Sequence, residues 1–285
     1  MGYTVKMTDH GTHPPTSVHT KPKHLRALVT VLAGLTLHTG CKSTPPAPET
    51  FDELTSYMFE HFEDEDPAAL QEGMHNLRNW LCDHFEETQE GYMLENLSED
   101  AVATLDGQQT NLDGQIGAGA AYDITYPIED IIRVYLDEDQ FEVHPNDYET
   151  YERSWIDGEN CFTQQECEFA YYHSHVENNF ALGLSLEAWN AVQYRWVELD
   201  DGPSLLMRSW MRKPAVSNFD WFEIDQQFGF GAIWSADHGI RQLEAGWVIM
   251  SLGELEIPLD MALRLTVNTI LERGVEVQDY LDEEE

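Results

Sequence analysis

Two histidines and a glutamate stand at alternate positions in His173-Ser174-His175-Val176-Glu177. On a strand, residues two apart point to the same face. The two imidazoles and the carboxylate would therefore share one surface, from which zinc or iron can be ligated. Phe169 and Tyr171 fall on that face too, and hydrogen-bonded histidines within an apolar lining are the plainer expectation. His173, His175 and Glu177 are candidate metal ligands on spacing alone. Other chemistry is thin. Gly183-Leu184-Ser185-Leu186-Glu187 breaks the Gly-x-Ser-x-Gly pattern at its last place, and His-Glu-x-x-His is absent. Cys82 and His84 lie two apart on a predicted helix, where such neighbours diverge. The acidic runs Asp64-Glu65-Asp66 and Asp137-Glu138-Asp139 lack the alternating ligands and central glycine of a calcium loop. Gly114, Gly117 and Gly119 lack the third glycine and the basic neighbour of a phosphate loop. No catalytic residue and no cofactor is assigned.

Composition narrows the partners. The chain has 15 Lys+Arg against 53 Asp+Glu, a formal net charge of −38. Four of the bases (Lys6, Lys21, Lys23, Arg26) and one acid (Asp9) precede Cys41, so the remainder is more acidic still. Such a body has the wrong sign for nucleic-acid phosphates and for anionic lipid. Among the bases from Cys41 onward, only Lys42 and Lys213 are lysines. Self-repulsion of this size is relieved by salt, which suggests a saline setting. With 42% hydrophobic residues, eight Trp, twelve Tyr and twelve Phe, the chain can nevertheless build a large aromatic core.

Near the start, Lys21, Lys23 and Arg26 lead into the apolar run Ala27–Leu37 and then into Thr39-Gly40-Cys41. Basic lead, apolar run and small residues are the layout of a secretory signal. Eleven mostly apolar residues are too few to span a hydrocarbon core, which needs roughly 20. Thr39-Gly40-Cys41, followed by Lys-Ser-Thr-Pro-Pro-Ala-Pro, resembles the lipobox of bacterial lipoproteins. That resemblance implies cleavage before Cys41, acylation of its sulfur, and attachment to the membrane through acyl chains. Lys42, in place of the aspartate that commonly signals inner-membrane retention in that class, implies the outer membrane. Residues 1–40 are then a signal peptide, and 41–49 an acylated cysteine with a Pro-rich tether. Export also bears on the other cysteines, because bridges persist in an oxidising compartment. Cys82, Cys161 and Cys167 allow three pairings with one thiol left over. Cys161 and Cys167 have only five residues between them, so that loop closes at least cost. This bridge is favoured, with Cys82 read as a small buried hydrophobe on a helix and three free thiols as the alternative.

The elements that must position these residues fall into two textures. In residues 50–110, Phe51, Leu54, Met58 and Phe62, then Leu70, Met74, Leu77, Leu81 and Phe85, recur at helical spacing. They predict a helical hairpin over 50–88, begun by a Thr50–Glu53 capping box and restarted at Asp66-Pro67. A short helix capped by Ser98 follows. Asp106–Gly119 is rich in turn formers and reads as a boundary. Residues 115–285 form the second region. Ala120–Tyr126 reads as a strand, with a short helix from Pro127. Period-two strands are predicted at 150–156, 168–177, 189–198, 204–212, 221–230 and 239–251. A terminal helix runs from Pro258, with Gly274 weakening its middle.

The fold class is α+β: strand, small helix, several antiparallel strands and a long C-terminal helix, preceded by the hairpin. Tyr122-Asp123-Ile124-Thr125-Tyr126-Pro127 leading into Ile128-Glu129-Asp130-Ile131-Ile132, and Gly246-Trp247-Val248-Ile249-Met250-Ser251 leading into Ile257-Pro258, resemble the helix-grip fold of the START/polyketide-cyclase-like superfamily. The resemblance covers residues 120–281 and has no counterpart for the hairpin. It implies a curved antiparallel sheet wrapped on the long C-terminal helix, with a cavity between them. By strand alternation, Phe169, Tyr171, Tyr194 and Trp196 would line it. Met207, Phe228 and Trp247 would join them, facing Leu263, Val267 and Ile270. The implied role is non-catalytic binding of an apolar small molecule or lipid by an envelope-anchored lipoprotein. An interaction or envelope-structural module with a solid core is the rival class. A third, a metal-dependent enzyme, requires His173 and His175 to converge with a further ligand. A cavity of several hundred Å3 separates the first two readings.

Overall fold

The computed structural model describes residues 46–107, 111–145, 148–179, 183–251, 253 and 258–284. They belong to a compact unit spanning Thr44–Glu285. The lipobox-like segment, Cys41 and the start of the tether lie outside the described residues.

Two helices open the body, α1 (Phe51–Glu60) and α2 (Ala68–Gln89). Their apolar stripes are buried as the spacing requires, with Phe51, Leu54, Met58, Leu70, Met74 and Leu77 all fully covered. A Cβ at Gly73 would sit 2.7 Å from Met58 Cγ, so glycine is what lets the two helices meet. Asp66 Oδ1 accepts the Ala68 N–H at 3.0 Å, as expected of a cap. The Thr50–Glu53 capping box does not form as expected. The Thr50 hydroxyl donates to the Glu53 carboxylate at 2.8 Å, so each satisfies the other rather than a backbone N–H. Ser98 caps the short α3 (Glu99–Val102) by accepting the Ala101 N–H.

The sheet is antiparallel throughout. Its strands are β1 (Tyr92–Leu94), β2 (Ile116–Ile124), β3 (Tyr148–Asp157), β4 (Phe169–Asn179), β5 (Ser185–Leu199), β6 (Gly202–Met211), β7 (Val216–Ser217), β8 (Glu223–Ala236) and β9 (Gly239–Ser251). They run β1-β2-β9-β8-β6-β5-β4-β3, with the two-residue β7 extending alongside β5. From β2 the chain crosses through α4 (Ile128–Leu136) and α5 (Gln140–Val143) to the far edge at β3. It then returns by hairpins until β9 pairs with β2. The closing helix α6 is Leu259–Glu284. This is the helix-grip arrangement.

Part of the predicted boundary at 106–119 is instead the start of β2. Its Gly117-Ala118-Gly119 stretch, expected as turn formers, joins the strand expected from Ala120 and is squeezed between two layers. Phe51 lies against Gly119 on one face and Trp247 against Gly117, while α6 covers the other face. Gly274 is likewise a packing residue rather than a weak point. A Cβ there would come within 2.5 Å of the Tyr122 ring, so glycine lets α6 lie close on β2.

Both faces of the sheet are buried. On the outer face, Leu206, Phe228, Phe230, Leu243 and Trp247 pack with α1, α2 and α3. On the inner face, Tyr122, Tyr172, Tyr194, Leu205 and Ile233 pack with α4 and α6. Two buried arginines clamp the hairpin to the outer face. Arg195, 1% exposed, donates through Nη1 to the carbonyls of Phe62 (2.7 Å) and Asp64 (2.9 Å) and pairs with Glu168. Arg208 reaches the Phe59 carbonyl, the Gln193 amide oxygen and Glu63. Carbonyls at a helix C-terminus lack intrahelical partners and carry the negative end of the dipole, so guanidinium groups suit them.

Candidate functional site

A cavity of about 490 Å3 opens between the inner face of the sheet and α6. Its origin is visible in the side chains of β5. Inner-face positions run Leu186, Ala188, Asn190, Val192, Tyr194, Trp196, small at one end and large at the other. The neighbouring strands match this gradient. Ser174 stands opposite Asn190, and Ser209 opposite Val192. At the closed end Phe162 stacks on Trp196, whose indole N–H donates to the Phe162 carbonyl at 3.0 Å. Because Gly274 draws α6 down onto β2, the small positions of β4, β5 and β6 are left unfilled. Thr269, Glu272, Arg273 and Val277 of α6 form the opposite wall. Tyr135, Gln140 and His144 close the side, with His144 Nδ1 2.7 Å from Glu276.

The cavity is amphipathic rather than wholly apolar. Glu244 of β9 lines it, held by hydrogen bonds from the Tyr122 hydroxyl (2.5 Å) and the Gln242 amide (2.7 Å). The Tyr135 hydroxyl donates to Gln242 Oε1 at 2.8 Å and extends the network. Burial raises the Glu244 carboxyl above its ordinary value, while Tyr122, Arg273 and Gln242 pull it back down. Burial likewise pushes the Tyr122, Tyr135, Tyr172 and Tyr194 phenols up, so all four remain neutral donors at physiological pH.

The expected lining residues divide between the two faces. Tyr194 and Met207 line the cavity. Trp196 shares their face but fills the closed end. Leu263, Val267 and Ile270 belong to the same core, though Thr269, Glu272, Arg273 and Val277 form the helix wall. Phe169, Tyr171, Phe228 and Trp247 lie on the outer face and do not face the cavity. Trp247 packs edge-on against Phe59 and donates to the Glu95 carbonyl, while Arg195 covers the Phe169 ring. The reason for the correction is general. Alternation tells which residues share a face, but with both faces covered it does not say which face holds the cavity. Glu244 was missed because it sits in an apolar strand. The alternation Gln242/Glu244 against Leu243/Ala245 was the available signal.

His173, His175 and Glu177 also belong to the outer-facing set. His173 Nε2 lies 2.9 Å from the Tyr171 hydroxyl, and burial lowers its pKa. His175 stacks on Trp189 and turns one nitrogen to Glu187 (2.7 Å) and the other to Glu152 (3.5 Å). Among the described residues no group of three or more His, Cys, Asp or Glu is gathered closely enough to hold a metal ion. Cys161 and Cys167 are bridged, Cα to Cα 5.5 Å. Cys82 is exposed on α2, not buried as expected, because it falls off that helix's apolar stripe. A second groove of about 730 Å3 lies beside Cys82, lined mainly by polar and charged residues and bridged by Arg78 and Asp201.

No family model and no curated protein matches the chain. Solved structures do. The chain is similar to a STAR-related lipid transfer protein from Xanthomonas axonopodis, with 14% identity and TM-score 0.37 over 60% of this chain and 90% of that one. It is also similar to a START superfamily protein from Mycobacterium smegmatis, with 9% identity and TM-score 0.38 over 60% and 99%. A third is the human StarD13 (DLC2) lipid transfer and protein localization domain, with 10% identity and TM-score 0.35 over 72% and 96%. Among the described residues no helix is long and apolar enough to cross a membrane.

Proposed function

We propose that this protein is a non-catalytic binder of an amphipathic small molecule or lipid, held between sheet and α6. One observation carries the reading: the body contains a cavity of about 490 Å3 where a solid core would have suited a purely structural module. That volume lies within the range of roughly 300–1,000 Å3 usual for small-molecule sites. The tyrosines and Glu244 around it favour an amphipathic ligand over a pure hydrocarbon. Anchoring at the outer membrane through acyl chains on Cys41 is part of the proposal and is supported by the lipobox-like sequence.

Native mass spectrometry of the full chain, purified without detergent, tests the binding. A retained small molecule, or uptake of a fluorescent fatty-acyl probe at one per chain, is expected. An empty protein that takes up no amphiphilic probe overturns the reading in favour of an interaction module. Anchoring is tested separately. Cys41→Ser should move the protein from the membrane to the soluble fraction, and an unchanged distribution refutes the lipid anchor.

A further inference from the structure

The chain enters the body on the hairpin side and is clipped there. Ala47 is buried in the core beneath the hairpin. The Asn76 amide on α2 donates to the carbonyls of both Ala47 (3.2 Å) and Pro48 (2.8 Å). Shortly after, Phe51 opens α1 against Gly119 of β2. The clip shortens the free tether. Only five residue steps separate Cys41 from Pro46, and at about 3.6 Å each they reach at most roughly 18 Å.

The cavity lies on the other side of the sheet. Among the described residues, those lining it all stand at or after Tyr135 in the chain, so α1, α2 and α3 contribute none. Its unfilled positions are on β4, β5 and β6, whereas Phe51 meets β2, with β9 and β8 between them. Clip and cavity are separated both through the sheet and across it.

Covalent reach turns this layout into an orientation once Cys41 is held at a bilayer. A compact unit spanning Thr44–Glu285 has a radius of roughly 23 Å, so its centre stays at least that far from a flat surface. A clip kept within about 18 Å of the surface remains below that centre, however the body tilts.

We infer that the Asn76 clip and the short chain before it hold the hairpin toward the anchoring bilayer and the cavity toward the aqueous side, so that the ligand enters and leaves through water rather than through that bilayer. The inference rests on the lipid-anchor and ligand-binding readings above.

Acylated full-length protein reconstituted in phosphatidylcholine vesicles tests it. Cys82 on α2 is free and exposed, and Val275 on α6 is 59% exposed. A donor fluorophore on Cys82, or on Val275→Cys in a Cys82→Ser background, is read by energy transfer to an acceptor lipid. Because the labels lie on opposite sides of a body about 46 Å across, transfer from Cys82 should be at least about threefold stronger. Inserting a Gly/Ser linker of about 20 residues before Pro46 should largely abolish the difference, since its extended length exceeds the width of the body. Equal transfer from the two labels with the native tether, or stronger transfer from Val275→Cys, overturns the inference whether or not a ligand binds. At matched free concentration, a fluorescent fatty-acyl probe should bind the vesicle-held protein as tightly as soluble Cys41→Ser protein. A loss of about tenfold or more on the vesicle would place the mouth against the bilayer and also overturns the inference. Failure of both forms to bind the probe overturns the carrier reading, with the orientation still decided by energy transfer. Protein that does not float with the vesicles overturns the anchor, and the inference with it.

Discussion

Arg195→Met separates a hairpin that is integral to the body from one that merely rests on it. Arg195 is 1% exposed, and its Nη1 serves two backbone carbonyls just beyond the end of α1, those of Phe62 and Asp64. Methionine fills much of the volume but leaves both carbonyls without that donor. Each buried polar group stripped of its partner costs roughly 1–3 kcal/mol. The ion pair with Glu168 adds little, because that carboxylate is half exposed and rehydrates when the arginine leaves. Removing the guanidinium also returns part of its own desolvation cost. The net loss should be about 3 kcal/mol. With a urea m-value of about 2–3 kcal/mol/M for a body of this size, the denaturation midpoint should fall by roughly 1–1.5 M. Hydrogen exchange should show α1 losing protection ahead of the sheet. A loss under about 1 kcal/mol, with α1 protection unchanged, would refute the argument that this arginine fastens the hairpin.

Three further outcomes follow from charge and covalent constraint. Glu244 has its folded-state pKa raised by burial above the ordinary 4.5. Its favourable contribution is therefore complete below that value and is lost as pH rises through the folded pKa. Wild type should lose stability relative to Glu244→Gln as pH rises from about 4.5, and parallel stability–pH curves would contradict this. With a net charge of −38, the melting temperature should climb by about 5 °C or more between low and molar salt, as self-repulsion is screened. A flat profile refutes the salt argument. Replacing Cys161 and Cys167 by serine should cost about 2 kcal/mol, the loop-closure value for a sequence separation of 6. Urea denaturation with an unchanged midpoint would show that the bridge constrains little.

Much of the architecture was legible because it is local. Phe51, Leu54 and Met58 repeat at the helical period, and Asp66-Pro67 marks a helix start whatever packs above it. The turns at Asp200-Asp201 and Asp237-His238 sit where strands β5–β6 and β8–β9 reverse. The Cys161–Cys167 bridge followed from the short spacing between the two residues. The charge imbalance and the lipobox-like segment also needed only the letters of the chain.

What belonged to the tertiary structure was the meaning of each face. Phe228 and Trp247 have the same alternation as Tyr194 and Met207, yet the first pair lies under the hairpin and the second faces α6. A strand covered on one side only would have shown its inner face as the apolar one; here the hairpin makes both faces apolar, and periodicity carries no label for inside. Glycines misled for a related reason. Gly117, Gly119 and Gly274 read as breaks, but each marks a place where another layer approaches too closely for a side chain. The cavity arises from that same approach, as α6 is drawn to β2 and away from the small residues of β4, β5 and β6. No local pattern encodes a distance between elements so far apart in the chain.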